Sequence, residues 1–185
     1  MLIASVRQAG AMEIIVELRD IDPVTGLDLD VKRAFADFFE PSDGIDAVGD
    51  MEANLHISQT GESYFVTGKT SGTVRLECGR CLKEYEYTLD VKLGATFLPV
   101  GEGGAGDEII DVDSYVYEND KLEVSTLIRD NMIFAIPLKQ LCKEECKGLC
   151  PKCGIDRNES SCECPEREVD ARLSVLQKLK DKLEN

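Results

Sequence analysis

The sequence predicts an α+β protein: an antiparallel β-rich body, built as a sheet or partly closed barrel, with a helix, a cysteine-rich zinc-knuckle segment and a C-terminal helix. Three observations predict it. The longest period-two stretch, YEYTLDVKLGATF (85–97), precedes every helical pattern. Six of the eight cysteines crowd into LCKEECKGLCPKCGIDRNESSCECP (141–165). Charge divides along the same line: residues 1–138 carry 11 Lys and Arg against 26 Asp and Glu, whereas residues 139–185 carry 10 of each. The expected organisation is an acidic β-rich body, 1–138, with one helix near 125–136. A cysteine-rich, metal-binding segment and C-terminal helix, 139–185, packs on it.

In chain order, MEIIVELR (12–19) has the composition of a strand, and DIDPVTG after it is rich in turn residues. Residues 27–39 are ambiguous and receive no assignment beyond partial order. EPSDG (40–44) is a loop. Met51, Ala53, Leu55 and Ile57 alternate with polar neighbours, the mark of a half-buried strand. SYFVTGKTSGTVRLE (63–77) reads as two short strands around a glycine-bearing turn. From Tyr85 and Tyr87 through Leu89, Val91 and Leu93 to Ala95 and Phe97 the period of two is unbroken, giving a long antiparallel strand with one buried face. On that face Tyr85 and Tyr87 are core residues, and Gly94 marks a bend or bulge. PVGEGGAGDE (99–108) is an acidic connection, and SYVYENDKLEV (114–124) supplies a short strand and a turn. Ser125 or Thr126 caps a helix carrying Leu127, Ile128, Met132, Ile133 and Ile136, which Pro137 stops. A final helix begins near Asp170, with Leu173, Leu176, Leu179 and Leu183 on one side.

The cysteines are the chemical signal. MLIASVRQAGAMEIIVEL lacks the basic start of a signal peptide, and no apolar run is long enough to cross a bilayer. A cytoplasmic setting follows, where thiols stay reduced and metal outranks disulfides. In CPKCG, Cys150 and Cys153 can grip one ion, and Gly154 permits the tight N–H···S turn that such a knuckle needs. Cys162 and Cys164 complete a local set of four soft ligands, which suits structural zinc before an iron–sulfur cluster. Cys78, Cys81, Cys142 and Cys146 form a second, weaker set, stapling the end of a strand to the exit of the first helix. The alternative is one site drawn from the six tail cysteines, with Cys78 and Cys81 free. CGRC also has the form of a redox dithiol, but a strand, not a helix start, follows it, so the thiolate lacks a helix dipole.

Catalytic signatures are missing. The single histidine, His56, falls on the polar side of its strand with no partner motif, and no nucleophile elbow, phosphate loop or dinucleotide fingerprint occurs. A zinc ion held by four cysteines has no position left to activate water. The net charge of −15 repels phosphate and attracts basic proteins. Any contact with RNA or a partner is therefore expected at the lysine-rich turns (Lys143, Lys147, Lys152, Arg157) and on the basic side of the last helix, at Arg172.

Taken together, LECGRCLKEYEYTLDV, DNMIFAIPLKQLCKEECKGLCPKCGIDRNESSCEC and DARLSVLQKLK resemble the YceD family, also catalogued as DUF177. The likeness covers roughly residues 45–183, and its marked positions are present: Cys78, Arg80, Cys81, Cys142, Cys146, Gly148, Cys150, Cys153, Gly154, Asn158, Cys162, Cys164, Asp170 and Arg172. The resemblance implies a role in accumulation of large-subunit (23S) ribosomal RNA, with no established enzymatic activity. The expectation is a non-enzymatic cytoplasmic factor for large-subunit assembly, stabilised by structural zinc. Its partners would be the large-subunit precursor, its rRNA or a basic ribosomal protein, with no membrane and no small-molecule substrate. An acidic chaperone acting off the ribosome is the alternative, and a thiol-redox or zinc-dependent enzyme stands behind both.

Overall fold

A computed structural model describes residues 13–100 and 114–164. The final helix expected from Asp170, with Arg172, and residues 101–108 of the expected acidic connection lie outside the described residues. The first strand, β1 (Ile15–Glu17), is short. Ile21 N bonds Leu18 O and Leu18 N reaches Asp120 O, so the chain winds into a 3-10 turn, Leu18–Asp20, before residue 19 can extend. β2 (Leu27–Ala34) follows, and two 3-10 turns, Phe35–Phe38 and Pro41–Asp43, lead into β3 (Asp46–Thr60). Phe35 is fully buried and Phe38 nearly so, so the first turn plugs the core.

β4 (Ser63–Glu77) is one strand of 15 residues, not two around a turn. Its glycines are there for their neighbours. Gly68 lies between Leu55 and Leu93 in the ladder, and a Cβ there would stand 2.1 Å from the Asn54 carbonyl oxygen. At Gly72 a Cβ would stand 2.7 Å from the Phe35 ring. β5 (Glu84–Pro99) pairs with β4 in unbroken register, so Gly94 is no bulge; the irregularity lies in β3, between Val48 and Glu52.

β6 (Ser114–Tyr117) then adds to β5 in parallel, while β7 (Lys121–Glu123) pairs with β1. The result is a five-stranded sheet, β2-β3-β4-β5-β6, beside a two-stranded one. The sheet is therefore mixed and open, where an antiparallel sheet or partly closed barrel was expected.

α1 (Val124–Ala135) buries Val124, Leu127, Ile128 and Met132 in the same core as Phe35, Met51, Ile57, Val66 and Phe97. Burying each of the larger side chains contributes about 1.5–3 kcal/mol relative to exposure. The helix starts one residue before the predicted cap and lacks a side-chain cap. Ser125 Oγ instead accepts Ile14 N at 3.2 Å, tying the helix to the chain just before β1. It ends at Ala135, with the extended Ile136 as its C-cap, ahead of Pro137.

The other face of the sheet meets water. Lys32–Glu52, Arg75–Asp46 and His56–Asp28 pair across it at 2.7, 3.0 and 2.7 Å. Such exposed pairs are worth at most about 1 kcal/mol each. Among the described residues no helix is long and apolar enough to cross a membrane.

Gly68→Ala is expected to lose about 3 kcal/mol through overpacking at the β3–β4 ladder. Gly94→Ala, where a Cβ meets nothing within 4 Å, should stay within about 0.5 kcal/mol of wild type in urea unfolding.

Candidate metal centre

The turn between β4 and β5 is built as a ligand-bearing knuckle. Cys78 N donates to Lys83 O at 2.9 Å, and Leu82 N donates to Cys78 O at 2.8 Å. That fold of the backbone brings Cys78 and Cys81 side by side and puts Leu82 in the left-handed region, φ 58°. CPKCGI repeats the same pattern. Cys150 N donates to Ile155 O at 2.8 Å, Gly154 N donates to Cys150 O at 2.9 Å, and Gly154 holds the left-handed position, φ 74°. The two turns are the same device, one with the residue that suits it and one without.

After α1 the tail lies across the first knuckle. Gly79 N bonds Gln140 O and Leu149 N bonds Arg80 O, both at 2.9 Å, while Arg80 Nη1 donates to Cys146 O at 2.6 Å. Gly148 lets the tail come this close, since a Cβ there would stand 2.7 Å from Arg80 O. Cys142 and Cys146 thereby reach the knuckle. The sulfurs of Cys78, Cys81, Cys142 and Cys146 all lie within 4.8 Å of one another, and those of Cys150, Cys153, Cys162 and Cys164 form a second such group.

Four sulfurs about 2.3 Å from an ion at the centre of a tetrahedron stand about 3.8 Å apart. Cys78 Sγ to Cys146 Sγ is 3.8 Å and Cys81 Sγ to Cys142 Sγ is 3.7 Å. A disulfide requires about 2.05 Å. Each group can hold a metal ion. The first is the enclosed one, with Cys78, Cys81 and Cys146 buried, whereas Cys153 of the second is exposed. Tyr85 packs on the first group, and its hydroxyl is buried with no hydrogen-bond partner among the described residues.

The electrostatics of the bare thiols are what a cation would relieve. The backbone N–H of Cys142, then those of Cys81 and Arg80, pull Cys78 down to about 6. Burial and the neighbouring thiols push Cys142 up to about 12. The second group divides alike: backbone N–H groups of Cys153 and Lys152 lower Cys150 to about 6, while Cys153 and burial raise Cys164 to about 12. Four thiols in contact resist ionising together unless a positive ion sits among them.

A second layer of contacts joins the groups. Asn158, in the loop between Cys153 and Cys162, donates Nδ2 to Cys146 Sγ at 3.4 Å and accepts Lys147 N at 2.9 Å. Lys83, from the first knuckle, pairs with Asp156 Oδ2 at 2.9 Å and with Glu159. Lys83, then the Asn158 backbone N–H and side chain, hold the Asp156 carboxyl down at about 2.

With this geometry in view, the model of the family described as "Large ribosomal RNA subunit accumulation protein YceD" matches residues 66–180. The chain belongs to the YceD family. All eight cysteines fall within the matched span. The chain is 29% identical over 110 residues to the uncharacterized protein YlbN of Bacillus subtilis, covering 59% of this chain and 62% of that one. It is 32% identical over 103 residues to the chloroplastic large ribosomal RNA subunit accumulation protein YCED homolog 1 of Arabidopsis thaliana, covering 51% of this chain and 32% of that one. Its maize counterpart is 39% identical over 75 residues, 38% of this chain and 25% of its own. The chain thus spans less than two thirds of each of these relatives. No solved structure matches it.

Of the expected RNA or partner contacts, Lys143, Lys147, Lys152 and Arg157 are exposed around the two groups; Arg172 is outside the described residues. Tyr87 departs from the expected core, being 38% exposed, whereas Tyr85 is half-buried and packs against both the core and the cysteines. The Lys83–Asp156 pair had no local signal, because its members are distant in sequence. The first knuckle had only its cysteine spacing, because Leu82 occupies the position that Gly154 fills in the second.

Two substitutions test this site. Leu82→Gly should raise stability by about 0.5–1 kcal/mol, the left-handed penalty less the added freedom of glycine in the unfolded chain. Denaturant unfolding checks it. Asn158→Ala should weaken zinc retention about 10–100-fold against a chromogenic chelator, since the contact orients a ligand without being one.

Proposed function

We propose that the chain is a non-enzymatic, zinc-stabilised cytoplasmic factor that supports accumulation of 23S ribosomal RNA within the assembling large subunit. Membership of the YceD family carries this reading, together with the role named for the Arabidopsis relative. Zinc is the ion that four thiolates at tetrahedral spacing favour. With every position taken by sulfur, its task is to hold the tail against the sheet. Cys78, Cys81, Cys142 and Cys146 would hold one ion, and Cys150, Cys153, Cys162 and Cys164 the other.

The charge distribution supports a division of labour. The sheet-bearing body carries the whole net charge of −15, and the exposed bases Lys143, Lys147, Lys152 and Arg157 gather on the cysteine segment. That segment is the side that meets the ribosomal precursor, and the body is the side that attracts a basic protein. A chaperone for a basic ribosomal protein off the ribosome is the second reading, favoured by the same acidic body.

Sedimentation of a lysate at low and high salt separates the two. The chain should travel with large-subunit precursors and leave them as salt rises. Lys143→Glu, Lys147→Glu and Lys152→Glu combined should move it to the top of the gradient without unfolding it. Wild-type chain found only at the top under gentle salt would transfer the assignment to the chaperone.

A further inference from the structure

β6 covers β5 only from Thr96 to Pro99. Over residues 84–95, β5 has β4 on one side and no strand on the other among the described residues. The ladder tells which backbone groups line that edge. Cys78 N donates to Lys83 O, and these two stand opposite each other as the next step beyond Glu77↔Glu84. Hydrogen-bonded and non-bonded pairs alternate along antiparallel strands. Tyr85, Tyr87, Leu89, Val91 and Leu93 therefore bond to β4. The N–H and C=O groups of Glu84, Glu86, Thr88, Asp90, Lys92 and Gly94 point away from it. Thr96, next in that series, is where β6 begins.

Those six edge residues are all exposed. Three are acids, and Glu84 faces Glu77 across the ladder, a like-charge pair that a cation would relieve. Among the described residues Glu77, Glu84, Glu86 and Asp90 have no ion pair. The opposite edge strand, β2, is different: Asp28 already holds His56, Asp30 holds Asn54 and Lys32 holds Glu52. A second copy of the chain is a poor occupant for β5, because two such edges would set acid against acid.

We infer that the β5 edge receives an extended, cationic segment of another polypeptide as an added strand. Main-chain bonds form to the six outward-facing residues, and basic side chains lie against Glu84, Glu86 and Asp90. The inference rests on the sheet alone and requires neither metal nor RNA. It gives the acidic body a docking geometry that survives even if the ribosomal reading fails.

The probe is a capped nine-residue peptide of alternating lysine and valine, with a glutamate–valine peptide as control. Amide hydrogen exchange is followed on the full chain by NMR. The basic peptide should slow exchange at Glu84, Glu86, Thr88, Asp90, Lys92 and Gly94, and the acidic one should not bind. Thr88→Pro removes an edge N–H without touching the β4 ladder, so it should keep the fold and weaken binding up to about tenfold, the worth of one main-chain bond. Glu84→Lys, Glu86→Lys and Asp90→Lys combined provide a charge test without altering the backbone, and should abolish binding. Edge amides already protected in the free chain, protection elsewhere, or equal binding of both peptides would overturn the inference.

Discussion

The cysteine segment depends on one contact: the tail's grip on the turn between β4 and β5. That turn closes the longest strand pair among the described residues, so whatever binds it is tied to the sheet. Cys78 and Cys146 are 68 residues apart in sequence. Closing a loop of that size with a covalent or metal crosslink removes about 4 kcal/mol of unfolded-state freedom. That is a large share of the stability of a domain of this size. The backbone bonds from Gly79 and Leu149 align the tail, but they are exchanged for bonds to water on unfolding and contribute modestly. A metal ion bound by the four cysteines would make that alignment durable.

The second group hangs on the first. Among the described residues its own knuckle has no apolar core beneath it, and the contacts that orient its loop, from Lys83 to Asp156 and from Asn158 to Cys146, lead back to the first group. The dependence also runs in reverse, because Asn158 is held in place by the loop that Cys153 and Cys162 close. Two ions in such an arrangement would be bound with shared consequences: displacing either one removes a support of the other. The buried group is the more protected of the two, and exposed Cys153 is the natural point of entry for a chelator or oxidant.

How much of this was legible in the sequence follows from what each residue is asked to do. Residues 51–57 and 85–97 were readable as strands because one face of each is truly buried, so apolar and polar letters alternate. β2 was not, since Leu27, Leu29 and Val31 sit half-buried at a sheet edge and the pattern is diluted. Gly68 and Gly72 misled for a different reason: glycine serves both turns and close approach, and only the neighbouring Asn54 carbonyl and Phe35 ring distinguish them. CPKCG announced its knuckle through Gly154. CGRCL concealed the same backbone behind a leucine, and the strain it accepts at Leu82 is offset by the hydrogen bonds on either side. Parallel β6 and the open sheet were beyond reach because local pattern carries no strand direction.

Charge and edge exposure bear on each other in the sheet. An unpaired strand edge is an aggregation hazard, and acids along it are a common protection. Protection against self-pairing needs repulsion from like edges only, and it is achieved here without proline, bulge or covering lysine between residues 84 and 91. Acids that would repel a like edge would attract a basic strand, so in the proposed docking one feature both opposes self-pairing and selects a partner by charge. The edge begins beside the cysteine turn: Cys78 and Cys81 lie in the β4–β5 connection, and the tail bonds across it. The cysteine-bearing turn at one end and the acidic edge beginning immediately after it are thus parts of one arrangement: a metal ion bound by those cysteines would fix the strand on which the proposed selection by charge depends.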